Sequence, residues 1–307
     1  MTTYAAKIIA DSIYPDGPRL STMEVTFPRK VLAELNTHRK FSRNSASSRA
    51  IPVEKMLRRV LETPYVPTRW GLNQAGMQAH RDAEAEVAEG AVAAWLCARD
   101  AAVQWAQTLL TGNIHKQITN RLVEPFMWHT ALISSTDWDN FFNLRDSDEA
   151  DPDIAIPARL MREAYEAGTP QILKPGEWHL PLTTEEERLN VPIDQLIKIS
   201  VGRCARVSYL THDGKRDLEA DIKLYDRLVS AGHMSPLEHV ARPATEYDSG
   251  ICLAQPSDVI VGYEFGHGRS EFVAPAKQHH GNFIGWVSQR KLVPGEEDIL
   301  GYRKQNA

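Results

Sequence analysis

Residues 37–50 read THRKFSRNSASSRA, and the order of side chains in this stretch decides how the rest of the chain is read. It carries His38, Arg39, Lys40, Arg43 and Arg49, hydroxyls at Ser42, Ser45, Ser47 and Ser48, and an amide at Asn44. Such a set suits a phosphate, because guanidinium groups engage it bidentately while hydroxyls and loop N–H groups complete its shell. By composition alone it suits a solvated basic loop equally well.

Upstream, residues 21–27 (STMEVTF) alternate polar and apolar side chains, which predicts a half-buried strand. Pro28 then opens a helical spacing of Val31, Leu32 and Leu35. Downstream, the longest helical pattern runs from about Gln78 to Leu110, with Val87, Val92, Trp95, Leu96, Val103 and Leu110 on one face. Gly112 and Asn113 end it. Further helices are predicted over 114–122, 157–167, 192–204 and 218–231. Residues 128–144 read as a polar, aromatic stretch, the acidic run 146–153 as a loop, and 245–290 show only weak periodicity. The sum is a mixed α and β chain in which helix predominates.

The 307 residues allow one large domain or two small ones. A net charge of -5 argues against nucleic acid as the main partner. Cys97, Cys204 and Cys252 are scattered and show no metal-ligand spacing, which fits a cytoplasmic setting with reduced thiols. Residues 1–11 have a short apolar patch without a signal-peptide pattern, and no apolar run approaches the roughly 20 residues that span a bilayer. The expectation is a soluble protein. No metal is expected either: His279 and His280, with His267 nearby, are joined by no Cys or carboxylate pattern. Residues 262–268 (GYEFGHG) lack the context of a phosphate loop, and Ser47 lacks that of a hydrolase nucleophile.

The order within 37–50 resembles the signature of flavin-dependent thymidylate synthases: Arg-His-Arg, two residues, Ser, one residue, Asn, two residues, Ser, one residue, Arg. His38, Arg39, Ser42, Asn44, Ser47 and Arg49 fall on that spacing. Residues 120–125 (NRLVEP) and 140–145 (NFFNLR) are similar to two later segments of the same family, and 149–154 (EADPDI) loosely follow the next. Residues 205–209 (ARVSY) and 232–239 (GHMSPLEH) resemble segments that family members carry before the signature, whereas here they follow it. A circular permutation is therefore expected, of the kind that folds tolerate when their termini lie close together at the surface.

This resemblance implies a mixed α/β (α+β) fold with a mixed or antiparallel sheet and long helices, as a single catalytic domain over 1–307, with 243–307 an unassigned extension or insertion. It implies methylation of dUMP at C5, with FAD as cofactor and methylenetetrahydrofolate and NADPH as co-substrates, in a homotetramer whose subunits share their sites. Carried over by position, Ser47, Ser48, Arg49 and Arg121 bind the nucleotide, and Arg145 stabilises the ionised pyrimidine. His38, Arg39, Ser235 and Asn140 contact FAD, and His233 lies near the flavin and folate. The chain departs from the pattern at Thr37, Ser45, Ala50, Thr136 and Glu149. Those departures leave open a hydroxymethylation, a cytosine nucleotide, binding without turnover, or a non-catalytic nucleotide or nucleic-acid binder using 37–49 as a contact strip.

Overall fold

The computed structural model describes residues 3–15, 17–174, 176–207, 216–245, 248, 279–294 and 296. Ser208, Tyr209, Cys252, His267 and the 262–268 stretch lie outside them. In chain order the first half runs β1 (Ala5–Ile13), β2 (Leu20–Pro28), α1 (Leu32–Leu35), β3 (Ser42–Ser45), α2 (Val53–Glu62) and α3 (Ala85–Thr111). It continues through α4 (Lys116–Thr119), a 3-10 segment Asn120–Phe126, β4 (Trp128–Ser135), α5 (Asp139–Arg145) and α6 (Pro152–Ala167). Then come β5 (Gln171–Ile172), α7 (Glu185–Asn190), α8 (Ile193–Arg206), α9 (Leu218–Ser230) and a 3-10 turn Ser235–His239. Short strands β6 (Ala241–Pro243), β7 (His279–His280), β8 (Phe283–Ile284) and β9 (Trp286–Ser288) follow.

The main sheet has the order β3-β4-β2-β1-β5 and is antiparallel except where β5 joins β1. Alternation along β2 sends Met23, Val25 and Phe27 to one face. There they meet Ala131 and Ile133 of β4 and the inner sides of α5 and α6, Phe141, Phe142, Ile154, Ala158 and Met161. The opposite face packs Leu132 against Cys204 and Val207 at the end of α8. Covered on both sides, β4 is almost wholly buried and loses the alternation that marks a half-exposed strand, which is why its sequence reads as featureless.

Several helix boundaries differ from the periodicity. The long helix starts at Ala85 because residues 70–83 fold back on themselves, with Leu72 N–H donating to Arg81 O and Ala83 N–H to Trp70 O. Helix α6 starts five residues before its predicted position: Asp151 caps the backbone of Asp153 at 2.8 Å, and Pro152 takes the first turn, where no N–H is needed. Helices α8 and α9 pack so closely that a Cβ on Gly202 would meet Asp221 O at 2.5 Å. Asp221, fully buried, ties the pair by accepting from Arg203 at 3.0 Å and Arg206 at 2.7 Å.

Residues 279–294 are part of this body. Trp286 has no exposed surface, packs with Leu20, Leu173 and Phe283, and donates its indole N–H to Pro18 O at 2.8 Å. Among the described residues, no helix is long and apolar enough to cross a membrane, and no cluster of three or more His, Cys, Asp or Glu could hold a metal ion.

Candidate functional site

The signature stretch is split by the four residues of β3 into a loop before it and a loop after it. At about 3.3 Å per residue, the strand holds the two ends roughly 13 Å apart. The first loop, 37–41, leans on α5. His38 is buried between the rings of Phe41 and Phe141, at centroid distances of 5.8 and 4.9 Å. Arg145 Nε donates to His38 Nε2 at 3.1 Å, and Arg145 Nη1 donates to Glu34 at 3.3 Å. Burial, with Arg145 and Arg43 close by, holds the His38 pKa below its ordinary value, so the ring is neutral and its Nε2 accepts. Arg43, grouped by composition with phosphate ligands, is used inside the chain instead: Nη1 donates to the carbonyls of Leu35 and His38 at 3.2 and 3.1 Å, fixing the loop.

Beside His38 and Arg145 opens a cleft of about 520 Å³ including its mouth, lined also by Arg39, Lys40, Asn140 and Phe141. Among the described residues, neither Arg39 nor Lys40 has an ion-pair partner. On its other side Arg145 borders a larger cleft, about 1450 Å³ including its mouth, whose far wall is the 70–83 fold-back with Trp70 and His80. Gln78 of that fold-back donates to the carbonyl of Glu149 across it.

The second loop, 46–51, carries Ser47, Ser48 and Arg49. Ser48 Oγ donates to Glu124 at 2.7 Å, and the same carboxylate accepts from Arg121 at 2.9 Å. Asn120, fully buried, donates its amide N–H groups to Ser48 O at 2.7 Å and Ile51 O at 3.0 Å, pinning the loop. Arg49 is exposed and has no ion-pair partner among the described residues. Ser48 and Arg121, expected from different segments, thus meet within one chain. Arg145 does not join them there.

The late GHMSPLEH segment docks on β3. Ser235 Oγ donates to Arg43 O at 2.7 Å, so its hydroxyl faces the strand that separates the two loops. His233 is exposed where α9 ends, with its backbone N–H on Leu228 O. Asn44 donates to Cys204 O at 2.6 Å, joining the signature to the last turn of α8. Beneath them runs a buried chain: Ser12 to His179 Nδ1 at 2.9 Å, His179 Nε2 to Thr22 at 2.8 Å, Thr22 to Ser134 at 2.5 Å, and Ser134 to His239 Nδ1 at 2.7 Å. Burial pushes the pKa of both histidines down to about 3, so they serve as neutral hydrogen-bonding groups.

Sequence reading missed Glu34, which orients Arg145, and Glu124, which gathers the second loop's donors. Glu124 lies inside the NRLVEP segment, but nothing local marks a carboxylate whose partner is Ser48. It also missed Asn282 and Ile284. Asn282 donates to Ser42 Oγ at 3.2 Å, and Ile284 N–H donates to Thr136 Oγ1 at 3.1 Å, so the C-terminal segment engages one of the departures from the family pattern.

No family model and no curated protein matches the sequence. Among solved structures the chain is similar to the UMP/dUMP methylase PolB from Streptomyces cacaoi, at 17% identity and TM-score 0.45, over 54% of this chain and 89% of that one. It is also similar to thymidylate synthase X from Helicobacter pylori, solved with FAD and dUMP, at 17% identity and TM-score 0.35, over 48% of this chain and 67% of that one.

Proposed function

We propose that this chain is a flavin-dependent enzyme that modifies a pyrimidine deoxynucleotide, with methylation of dUMP at C5 as its reaction. The observation that carries this reading is the bond from Arg145 Nε to His38 Nε2, which joins two signature segments at the mouth of one cleft.

The cleft residues fit a dinucleotide cofactor. Arg39 and Lys40 offer cations at the mouth with no ion-pair partner among the described residues, and Asn140 an exposed amide. In this reading His38, Arg39, Asn140 and Ser235 hold FAD, and Ser47, Ser48, Arg49 and Arg121 hold the nucleotide phosphate. A bound flavin supplies the redox chemistry that takes the transferred carbon to a methyl group, with methylenetetrahydrofolate as donor and NADPH as reductant.

Arg145 supplies fixed positive charge for an ionising pyrimidine. Glu34 and His38 aim its guanidinium before the substrate arrives. Because His38 is neutral, it orients Arg145 without repelling it. The phosphate loop and the loop that holds His38 flank β3 on either side, and the homotetramer that the resemblance implies would let neighbouring copies share a site.

The test is a visible spectrum of the purified protein with FAD, followed by titration of dUMP and of dCMP. A flavin spectrum that responds to dUMP supports the reading, and a response to dCMP alone moves the substrate to a cytosine nucleotide. His38→Ala is expected to weaken FAD binding; unchanged affinity would remove His38 from the flavin site. No flavin binding by the unaltered protein would sink the proposal.

A further inference from the structure

The carboxylate of Glu124 stands where an anion belongs. Its Oε1 accepts from Ser48 Oγ at 2.7 Å, from Arg121 Nη1 at 2.9 Å and from Arg29 Nη2 at 3.4 Å, and its Oε2 lies 3.2 Å from Arg121 Nη1. Two guanidinium groups and a buried hydroxyl converging on a pair of oxygens is the donor set of a phosphate clamp. Arg29, which the sequence left without a role, is a part of it: its side chain is only 16% exposed. Its other terminal nitrogen faces His129 at 3.2 Å, a ring that burial keeps neutral and that cannot offset the guanidinium charge. Glu124 is the only ion-pair partner of Arg29 and of Arg121 among the described residues.

We propose that Glu124 is an internal anion that fills the phosphate clamp until a nucleotide displaces it, with Arg29 as a further cation of that clamp. This rests on the reading that Ser48 and Arg121 take the nucleotide phosphate. A phosphate reaching those donors must take them from the carboxylate or share them against like-charge repulsion, so binding a phosphate alone is opposed. A nucleotide overcomes the opposition through contacts made elsewhere by its sugar and base. Glu124 thereby selects the whole nucleotide over free inorganic phosphate.

The experiment compares the full-length protein with Glu124→Gln, which keeps the shape and an acceptor for Ser48 while removing the charge. Calorimetric titrations use dUMP, inorganic phosphate and deoxyuridine. Glu124→Gln is expected to bind dUMP about tenfold more tightly, about 1.4 kcal/mol, to gain measurable binding of inorganic phosphate, and to bind deoxyuridine as before. Glu124→Ala, which also removes the acceptor, is expected to shift dUMP in the same direction. Equal or weaker dUMP binding by a folded Glu124→Gln overturns the proposal alone and leaves Glu124 as a positioning residue. Failure of the unaltered protein and both variants to bind dUMP overturns the nucleotide reading and the proposal together.

Discussion

Replacing Asn120 by alanine releases the loop that presents Ser47, Ser48 and Arg49. The amide has no exposed surface and donates to two carbonyls, Ser48 O and Ile51 O. Alanine leaves both without that donor, at about 1–3 kcal/mol for each buried group. The amide oxygen has no hydrogen-bond partner among the described residues, so its removal returns about 1 kcal/mol. The expected net loss is about 1–5 kcal/mol, a large part of the roughly 5–15 kcal/mol that holds a protein folded. With a urea slope of about 3 kcal/mol per molar, the unfolding midpoint falls by about 1 M. Nucleotide affinity falls with it, because the loop no longer holds Ser48 in place. Asn120→Asp sharpens the test by setting a carboxylate against the same two carbonyls, and it is expected to be less stable than the alanine variant. Tryptophan fluorescence in urea, run beside a dUMP titration, reads both effects. A midpoint shift below about 0.2 M for alanine, or an aspartate variant more stable than the alanine one, would refute the assignment of which amide atom faces the loop.

Arg145→Ala is expected to keep the fold, since a partly exposed ion pair contributes at most about 1 kcal/mol, and to lose turnover; wild-type turnover in that variant would remove Arg145 from the chemistry. Lysine is not expected to restore it, because a single ammonium cannot reproduce the two-sided hold by His38 and Glu34. His129, His179 and His239 have folded pKa values pushed down to about 3, whereas an unfolded histidine titrates near 6.5. Between those values the unfolded chain binds more protons, so stability is lost as pH falls from about 6.5 towards 3, by up to about 1.4 kcal/mol per histidine per pH unit. Urea midpoints that stay constant between pH 7 and pH 5 would contradict this, and His239→Gln is expected to reduce the slope. Trp286→Ala is expected to cost about 3–5 kcal/mol, the usual loss for a fully buried large aromatic. A cost under about 1 kcal/mol in thermal or urea unfolding would mean that the C-terminal segment is an appendage to the core.

Local patterns carried the readings that the structure bears out. Alternation in STMEVTF marks β2 because one period-2 face is apolar, and helical spacing marks α9 because it buries a single stripe of Asp221, Leu224, Tyr225 and Leu228. The site residues, His38, Ser47, Arg49 and Arg145 among them, came instead from the family resemblance, and their roles stay a proposal. Other features have no local trace. Strand β4 is buried on both faces, so burial removes the periodicity that would reveal it. The fold-back at 70–83 rests on backbone bonds between its own two arms, and its composition continues into the helix that follows.

The partners of the site are the part that only tertiary structure decides. Glu34 reaches Arg145 across 111 positions and Ser48 reaches Glu124 across 76, while Asn282 meets Ser42 across 240. The sequence by itself determined which groups are present and their order along the chain, because helix and strand periodicities act over a few residues. It could not determine which charges face one another. Those pairings follow from how the sheet stacks its strands, which depends on contacts between segments far apart in sequence.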